Sequence, residues 1–244
     1  MISHLAMKNF KGGLGWLVLV ILLGCNPEND LKIPSYREYF PLRVGDFKIY
    51  QVAETRITLN VPEDFEYQIK IIVTDSFNNA EGDYSYVLTR LKRNSENEDW
   101  TSLDTWIARL SEQELVVSEQ NIPYVKLSFP VIGGKEWNSN KYNNEHTGIN
   151  CPGIFNTCSP YKYSDEITTY QSSTGIVLDK AIEVVESDIS DPIQIDIRKS
   201  KYAYNVGLVF KEINRQEFCG VGCNGQFVNA GLIQIMELIE HGSE

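Results

Sequence analysis

Apolar and polar residues alternate with a period of two over several stretches. Tyr67, Ile69, Ile71 and Val73 alternate with Gln68, Lys70 and Thr74; Val125, Leu127, Phe129 and Val131 alternate with Lys126, Ser128 and Pro130. Ile193, Ile195 and Ile197 alternate with Gln194, Asp196 and Arg198 in the most regular case. This is the period of a strand with an apolar inner face and a polar outer one, so the isoleucines are expected inside and Lys126, Asp196 and Arg198 outside. Further strands are predicted at 47–59, 83–93, 103–110, 160–170, 176–186, 204–213 and 231–239. Asn78 to Gly82, Gly133-Gly134 and Asp188 to Pro192 supply the turn chemistry between them. In the tail, Leu232, Ile235, Met236 and Ile239 also fit helical spacing, but Ile233 and Ile235 fit alternation, and the tail is read as a strand. About ten closely spaced strands with polar outer faces predict one all-β, antiparallel domain, as a strongly curved sheet or partial barrel, with a β-sandwich as the alternative. Asn138 to Ser164 breaks the pattern as a polar loop carrying Tyr142, Tyr161 and Tyr163, the kind of long loop that is usually mobile or functional.

The start of the chain follows another logic. Lys8 and Lys11 precede an apolar run from Leu14 to Leu23, and Leu22-Leu23-Gly24-Cys25 closes it. Ten residues cover roughly 15 Å as a helix, half of a bilayer core of about 30 Å, so the run is a signal peptide rather than a span. The plain alternative is a secretory signal with a chance cysteine after it. The segment resembles the lipobox of bacterial lipoproteins, which implies cleavage before Cys25 and a diacylglycerol thioether plus an N-acyl chain, of the palmitate type, on that residue. No other cofactor is expected. With more than one acyl chain, Cys25 would stay on its membrane. The division is then signal peptide 1–24, tether 25–35 and β domain 36–244, with no internal repeat. In the tether, Asn26 to Pro34 is polar and holds two prolines.

Removing the segment before Cys25 takes away two lysines and no acid, leaving 20 basic against 33 acidic side chains. So acidic a chain repels phosphate backbones, and nucleic acid is not an expected partner. Four further cysteines, Cys151, Cys158, Cys219 and Cys223, form an even set in an exported chain and read as disulfides. Short loops close at least entropic cost, which favours Cys151–Cys158 and Cys219–Cys223; the crossed pairings would staple distant loops together. Zinc is disfavoured because no C-x-x-C and no histidine at ligand spacing accompany them.

Three phrases, YFPLRVGDFKIYQV at 39–52, GKEWN at 134–138 and KYAYNVGLVFKEI at 201–213, together resemble a broad group of Bacteroidota outer-membrane lipoproteins without an assigned activity. Phe40, Pro41, Leu42, Gly45 and Tyr50 match the opening of that group, with Lys48 or Phe47 where a tryptophan is usual. Gly134 and Trp137 match its middle, and Tyr202, Ala203, Val206, Gly207, Leu208 and Val209 its end. The resemblance implies a lipoprotein with a β fold and carries over no catalytic residue. Glu28 and Asp30 also resemble the acidic tethers that mark surface export in such lipoproteins.

Candidate chemistry is sparse. Gly220 to Gly225 is literally G-x-G-x-x-G, but it lies between two cysteines and reads as a glycine-rich turn rather than a dinucleotide loop. After Cys25 only His146 and His241 remain as histidine bases, and no G-x-S-x-G is present. The acids Glu183, Glu186 and Asp188, like Glu96, Glu98 and Asp99, cluster at strand ends and are expected to be solvated. Asp188, Asp191 and Asp196 surround a turn without EF-hand spacing, so metal is not expected. Trp100, Trp106 and Trp137 read as core or cross-strand packing before they read as a stacking platform. The residues singled out for ligand contact are Trp137, Tyr142, Tyr161 and Tyr163. The expectation is a non-enzymatic envelope lipoprotein, on either the periplasmic or the exposed side of the outer membrane. It would contact the bilayer through its acyl chains and bind a small ligand or an envelope protein. The alternative is an acid-pair hydrolase acting on surface glycans.

Overall fold

The computed structural model describes residues 36–78, 84–143, 160–219 and 227–244. The chain divides into two units, 1–34 and 35–244, and every described residue belongs to the second. The signal peptide, Cys25, the tether, His146, Cys151, Cys158, Cys223 and the Gly220–Gly225 turn lie outside the described residues.

A 3-10 turn at Tyr36–Tyr39 leads into thirteen strands: β1 (Asp46–Thr58), β2 (Val61–Asn78), β3 (Tyr84–Arg93), β4 (Thr101–Leu110), β5 (Glu114–Glu119), β6 (Ile122–Ser128), β7 (Glu136–Trp137), β8 (Tyr161–Tyr163), β9 (Thr168–Gln171), β10 (Val177–Asp191), β11 (Gln194–Ala203), β12 (Gly207–Phe218) and β13 (Val228–Ser243). They form one antiparallel sheet in the order β6-β5-β4-β3-β2-β1-β13-β12-β11-β10-β8-β7, with β9 on β10. The fold is therefore all-β and antiparallel, as the alternation predicts. The number of strands exceeds ten because β5 and β7 gave no separate signal and 160–170 divides into β8 and β9. The tail is a strand. It closes the ring of neighbours by pairing with β1 from Asp46↔Ser243 to Thr58↔Ala230.

Local chemistry explains the meander. Leu59-Asn60 and Gln120-Asn121 each hold two consecutive residues at positive φ, the mirror-image turn whose twist matches that of the strands it joins. Asp191 caps the β10–β11 turn by accepting the Ile193 and Gln194 amides at 2.9 and 3.0 Å.

The sheet curls until its edges almost meet, leaving a barrel with one seam. No ladder bridges β6 and β7. Instead the Val125 amide donates to the Ser139 carbonyl at 2.8 Å, the Trp137 indole donates to the Val125 carbonyl at 2.8 Å, and the Tyr163 hydroxyl bonds both backbone groups of Ser128 at 3.1 Å. Trp137 packs on Tyr163 with ring centroids 4.5 Å apart. Leu115, Val125, Leu127, Ile182 and Val184 fill the core behind the seam. Fully burying each such aliphatic side chain contributes about 1.5–3 kcal/mol.

Two readings of the alternation are corrected. In β11 the parity is inverted: Gln194, Asp196 and Ser200 are buried, whereas Ile193, Ile195 and Ile197 lie on the outer face, half-buried. Gln194, Asp196 and Ser200 share the face of Tyr202, which packs in the core, and Arg198 neutralises Asp196 at 2.8 Å. Lys126 is the second case. The register passes from Leu115↔Leu127 to Val116↔Val125, leaving Lys126 as the extra residue of a β-bulge. A bulge re-aims its side chain, and Lys126 is 6% exposed rather than solvated.

Candidate functional site

The barrel interior is not completely filled. A cavity of about 260 Å³ runs along β1 from Lys48 to Arg56. Its apolar wall includes Ile69, Ile71, Val73, Leu88, Val117 and Leu208. Phe40 and Leu42, from the segment before β1, line its Lys48 end. The most exposed lining residues are Leu103, at 44%, and Arg56, whose side chain is 60% exposed, and they mark the mouth.

Three lining residues reach the cavity from bulges. Besides Lys126, Leu103 is the extra residue between Arg90↔Asp104 and Leu91↔Ser102, and Glu186 the extra residue between Val185↔Lys199 and Ser187↔Arg198. Glu186, expected to be solvated at a strand end, is 5% exposed. Its neighbour Asp188 is exposed, as are Glu96, Glu98 and Asp99.

Six cationic side chains (Lys48, Arg56, Arg90, Lys92, Lys126 and Lys211) line the cavity, against the acids Asp46, Glu119 and Glu186. This is a positive interior in a chain of formal charge −11. One part of it is internally compensated. Lys126 meets Glu119 at 2.8 Å, and the Ser200 and Tyr161 hydroxyls donate to Glu186 at 2.5 and 3.2 Å. Burial alone would raise both carboxyls, but the Lys126 and Lys211 ammoniums prevail. Glu119 is held below its ordinary value, and Glu186 is held down to about 2. Burial would likewise lower Lys126, but Glu119, Tyr161 and Glu186 hold it well above the usual lysine value.

The other part is compensated only in part. Lys48, Ile71 and Arg90 lie directly opposite one another across β1, β2 and β3. Lys48 has no ion-pair partner among the described residues, and burial, only partly offset by Asp46, lowers its ammonium to about 8. Arg90 turns one Nη to Asp104 at 2.8 and 3.0 Å and lies over the Trp106 ring at 4.0 Å. Its Nε and the Trp106 Nε1 are both buried without a hydrogen-bond partner. An unsatisfied buried donor costs about 1–3 kcal/mol, so two side by side on a cavity wall call for an acceptor.

The residues singled out from sequence are divided by the structure. Trp137, Tyr161 and Tyr163 are buried in the core; Tyr161 reaches the interior network through Glu186, while Trp137 and Tyr163 serve the seam. Tyr142 is exposed and donates to Glu114, beneath Arg109 and Lys141. The tryptophans form no common platform: Trp100 stacks under Arg93, Trp106 lines the cavity and Trp137 holds the seam. Asp191 caps a turn and Asp196 pairs with Arg198, so these carboxylates are engaged with protein groups. His241 is exposed on β13. Cys219 is disulfide-bonded; its expected partner Cys223, and Cys151 and Cys158 of the crossed pairings, lie outside the described residues.

No family model matches the chain, and no curated protein does. Among solved structures, a protein of Bacteroides fragilis NCTC 9343, provisionally described as exported and as having a YmcC-like fold, matches with a TM-score of 0.45 and 12% identity. The match covers 84% of this chain and 98% of that one. A likeness of that degree carries no argument about this chain.

Proposed function

We propose that this chain is a non-enzymatic binding protein of the cell envelope, held at the outer membrane by acyl chains on Cys25, and that its β domain takes a small ligand into the barrel interior. The anchor rests on the lipobox sequence alone. The ligand site rests on one observation, the 260 Å³ cavity with its apolar wall and unpaired donors. That volume of about 260 Å³ lies just below the range for small-molecule pockets, about 300–1,000 Å³. It suits a single short chain better than a diacyl lipid, and it distinguishes the domain from a filled scaffold that acts only through its surface.

The hydrolase alternative would draw on Glu119 and Glu186, which both line the cavity. Acid-pair hydrolysis needs one carboxyl that stays protonated near neutral pH. The lysines depress both of these, and neither would serve as a proton donor. This favours binding over catalysis.

Melting curves recorded with octanol, octanoate, octyl phosphate and octylamine test the reading. At least one of these eight-carbon probes is expected to raise the melting temperature of the native protein. None is expected to do so in Ile71→Phe, which places a larger ring in the cavity. A native protein that responds to no probe would refute the interior site.

A further inference from the structure

The interior site also carries information about its ligand, and the following inference rests on the reading that the cavity is a binding site. Lys48 and Arg90 are separated by one strand, roughly 10 Å from backbone to backbone, and both side chains line the same cavity. A single group lying between them is within reach of both long side chains. Ile71, opposite each of them, provides an apolar floor.

We propose that the site takes a small amphiphilic anion, its head held by the Lys48 ammonium, the Arg90 Nε and the Trp106 Nε1, and its unbranched apolar body lying against the apolar wall of the cavity. The donors impose the sign. A cation would meet Lys48 with nothing to neutralise it, and a neutral alcohol would satisfy one donor while leaving the ammonium uncompensated. The other cations are more closely engaged: Lys126 by Glu119, Arg56 by Glu54 at 2.6 Å, and Lys92 over the Tyr67 ring at 3.9 Å, against 5.7 Å for Lys48 over the Phe40 ring. Lys211 stands beside Glu119 and Glu186. The free donors are therefore gathered at Lys48, Arg90 and Trp106, at the end of the cavity where Phe40 and Leu42 also lie. Of the two residues at the mouth, Arg56 lies toward the other end of β1 and Leu103 beside Asp104, the register partner of Arg90.

Calorimetric titration of the native protein at pH 7 with octanoate, octyl phosphate, octanol and octylamine tests the inference. A hydrogen bond to a charged group changes affinity by about ten- to hundredfold. At least one of the two anions is expected to bind tenfold or more tightly than octanol and octylamine, and whichever does identifies the head as carboxylate or phosphate. Lys48→Met and Trp106→Phe are each expected to bring the anion down toward the octanol value. Trp106→Phe keeps a ring beneath Arg90 and removes only the donor. Octanol binding that persists in either variant shows that its interior is intact. Octanol binding as tightly as both anions, or an anion preference that survives both substitutions, would overturn the inference and leave the interior site standing. No binding by any probe would overturn both.

Discussion

Replacing Lys126 by methionine, a side chain of similar length without charge, probes the interior network most sharply. Lys126 is buried against Glu119 and holds down Glu186. A carboxyl at about 2 instead of its ordinary 4.5 corresponds to roughly 3 kcal/mol favouring the folded state. Because the folded value is the depressed one, this contribution is fully present above about pH 4.5 and is lost as pH falls toward 2. Removing one partner of a buried ion pair typically costs about 3–5 kcal/mol. Lys126→Met is therefore expected to lose about 3–5 kcal/mol at pH 7, and the gap from native protein should narrow as pH falls from 5 to 3. Glu186→Gln in the same background should restore part of the loss, since a neutral amide no longer needs the ammonium. Urea unfolding of the three proteins across that pH range measures this directly. A Lys126→Met variant within about 1 kcal/mol of native protein at pH 7, or a gap unchanged by acid, would refute the reasoning.

Other consequences follow from single contacts. Trp137→Phe removes the indole donor that spans the seam to the Val125 carbonyl. It should cost about 1–3 kcal/mol and speed amide exchange in β6 ahead of the rest of the sheet; uniform exchange would show that the seam is held otherwise. Gly207 has φ +98°, and an added Cβ would lie 3.2 Å from Lys48 Cε. Gly207→Ala should therefore lose about 1–2 kcal/mol in thermal unfolding, and a neutral result would contradict the turn. In cells given labelled palmitate, Cys25→Ala should lose both label and membrane retention; label that persists would mean the anchor is elsewhere.

The fold was legible because a strand with one wet face writes its period into the chain, as in Tyr67 to Val73 and in the tail, where alternation rather than helical spacing holds. The interior chemistry was harder to read, for two separate reasons. Lys126 and Glu186 are bulge residues, and a bulge shifts parity without leaving a mark in the residue pattern, so charged side chains that seem to face water turn inward. Lys48, Arg90 and Asp196 did leave a signal. Each shares parity with a buried residue on its own strand, namely Tyr50, Leu88 and Tyr202. A charged residue in phase with the core is the mark of a polar interior. The Ile193, Ile195 and Ile197 run obscured it, because hydrophobicity alone assigned that face to the inside. Trp137 and Tyr163 were singled out for ligand contact, but they close a seam whose existence depends on contacts between strands far apart in sequence.

Everything proposed for the ligand turns on an anion seated in the barrel interior beside Lys48 and Arg90. Crystals grown with 8-bromooctanoate test it most directly, since bromine can be located by its anomalous scattering. A carboxylate is expected in reach of Lys48, Arg90 Nε and Trp106 Nε1, with the bromine inside the barrel against its apolar wall. Bromine found only on the outer surface, with the interior beside Arg90 unchanged, would contradict it.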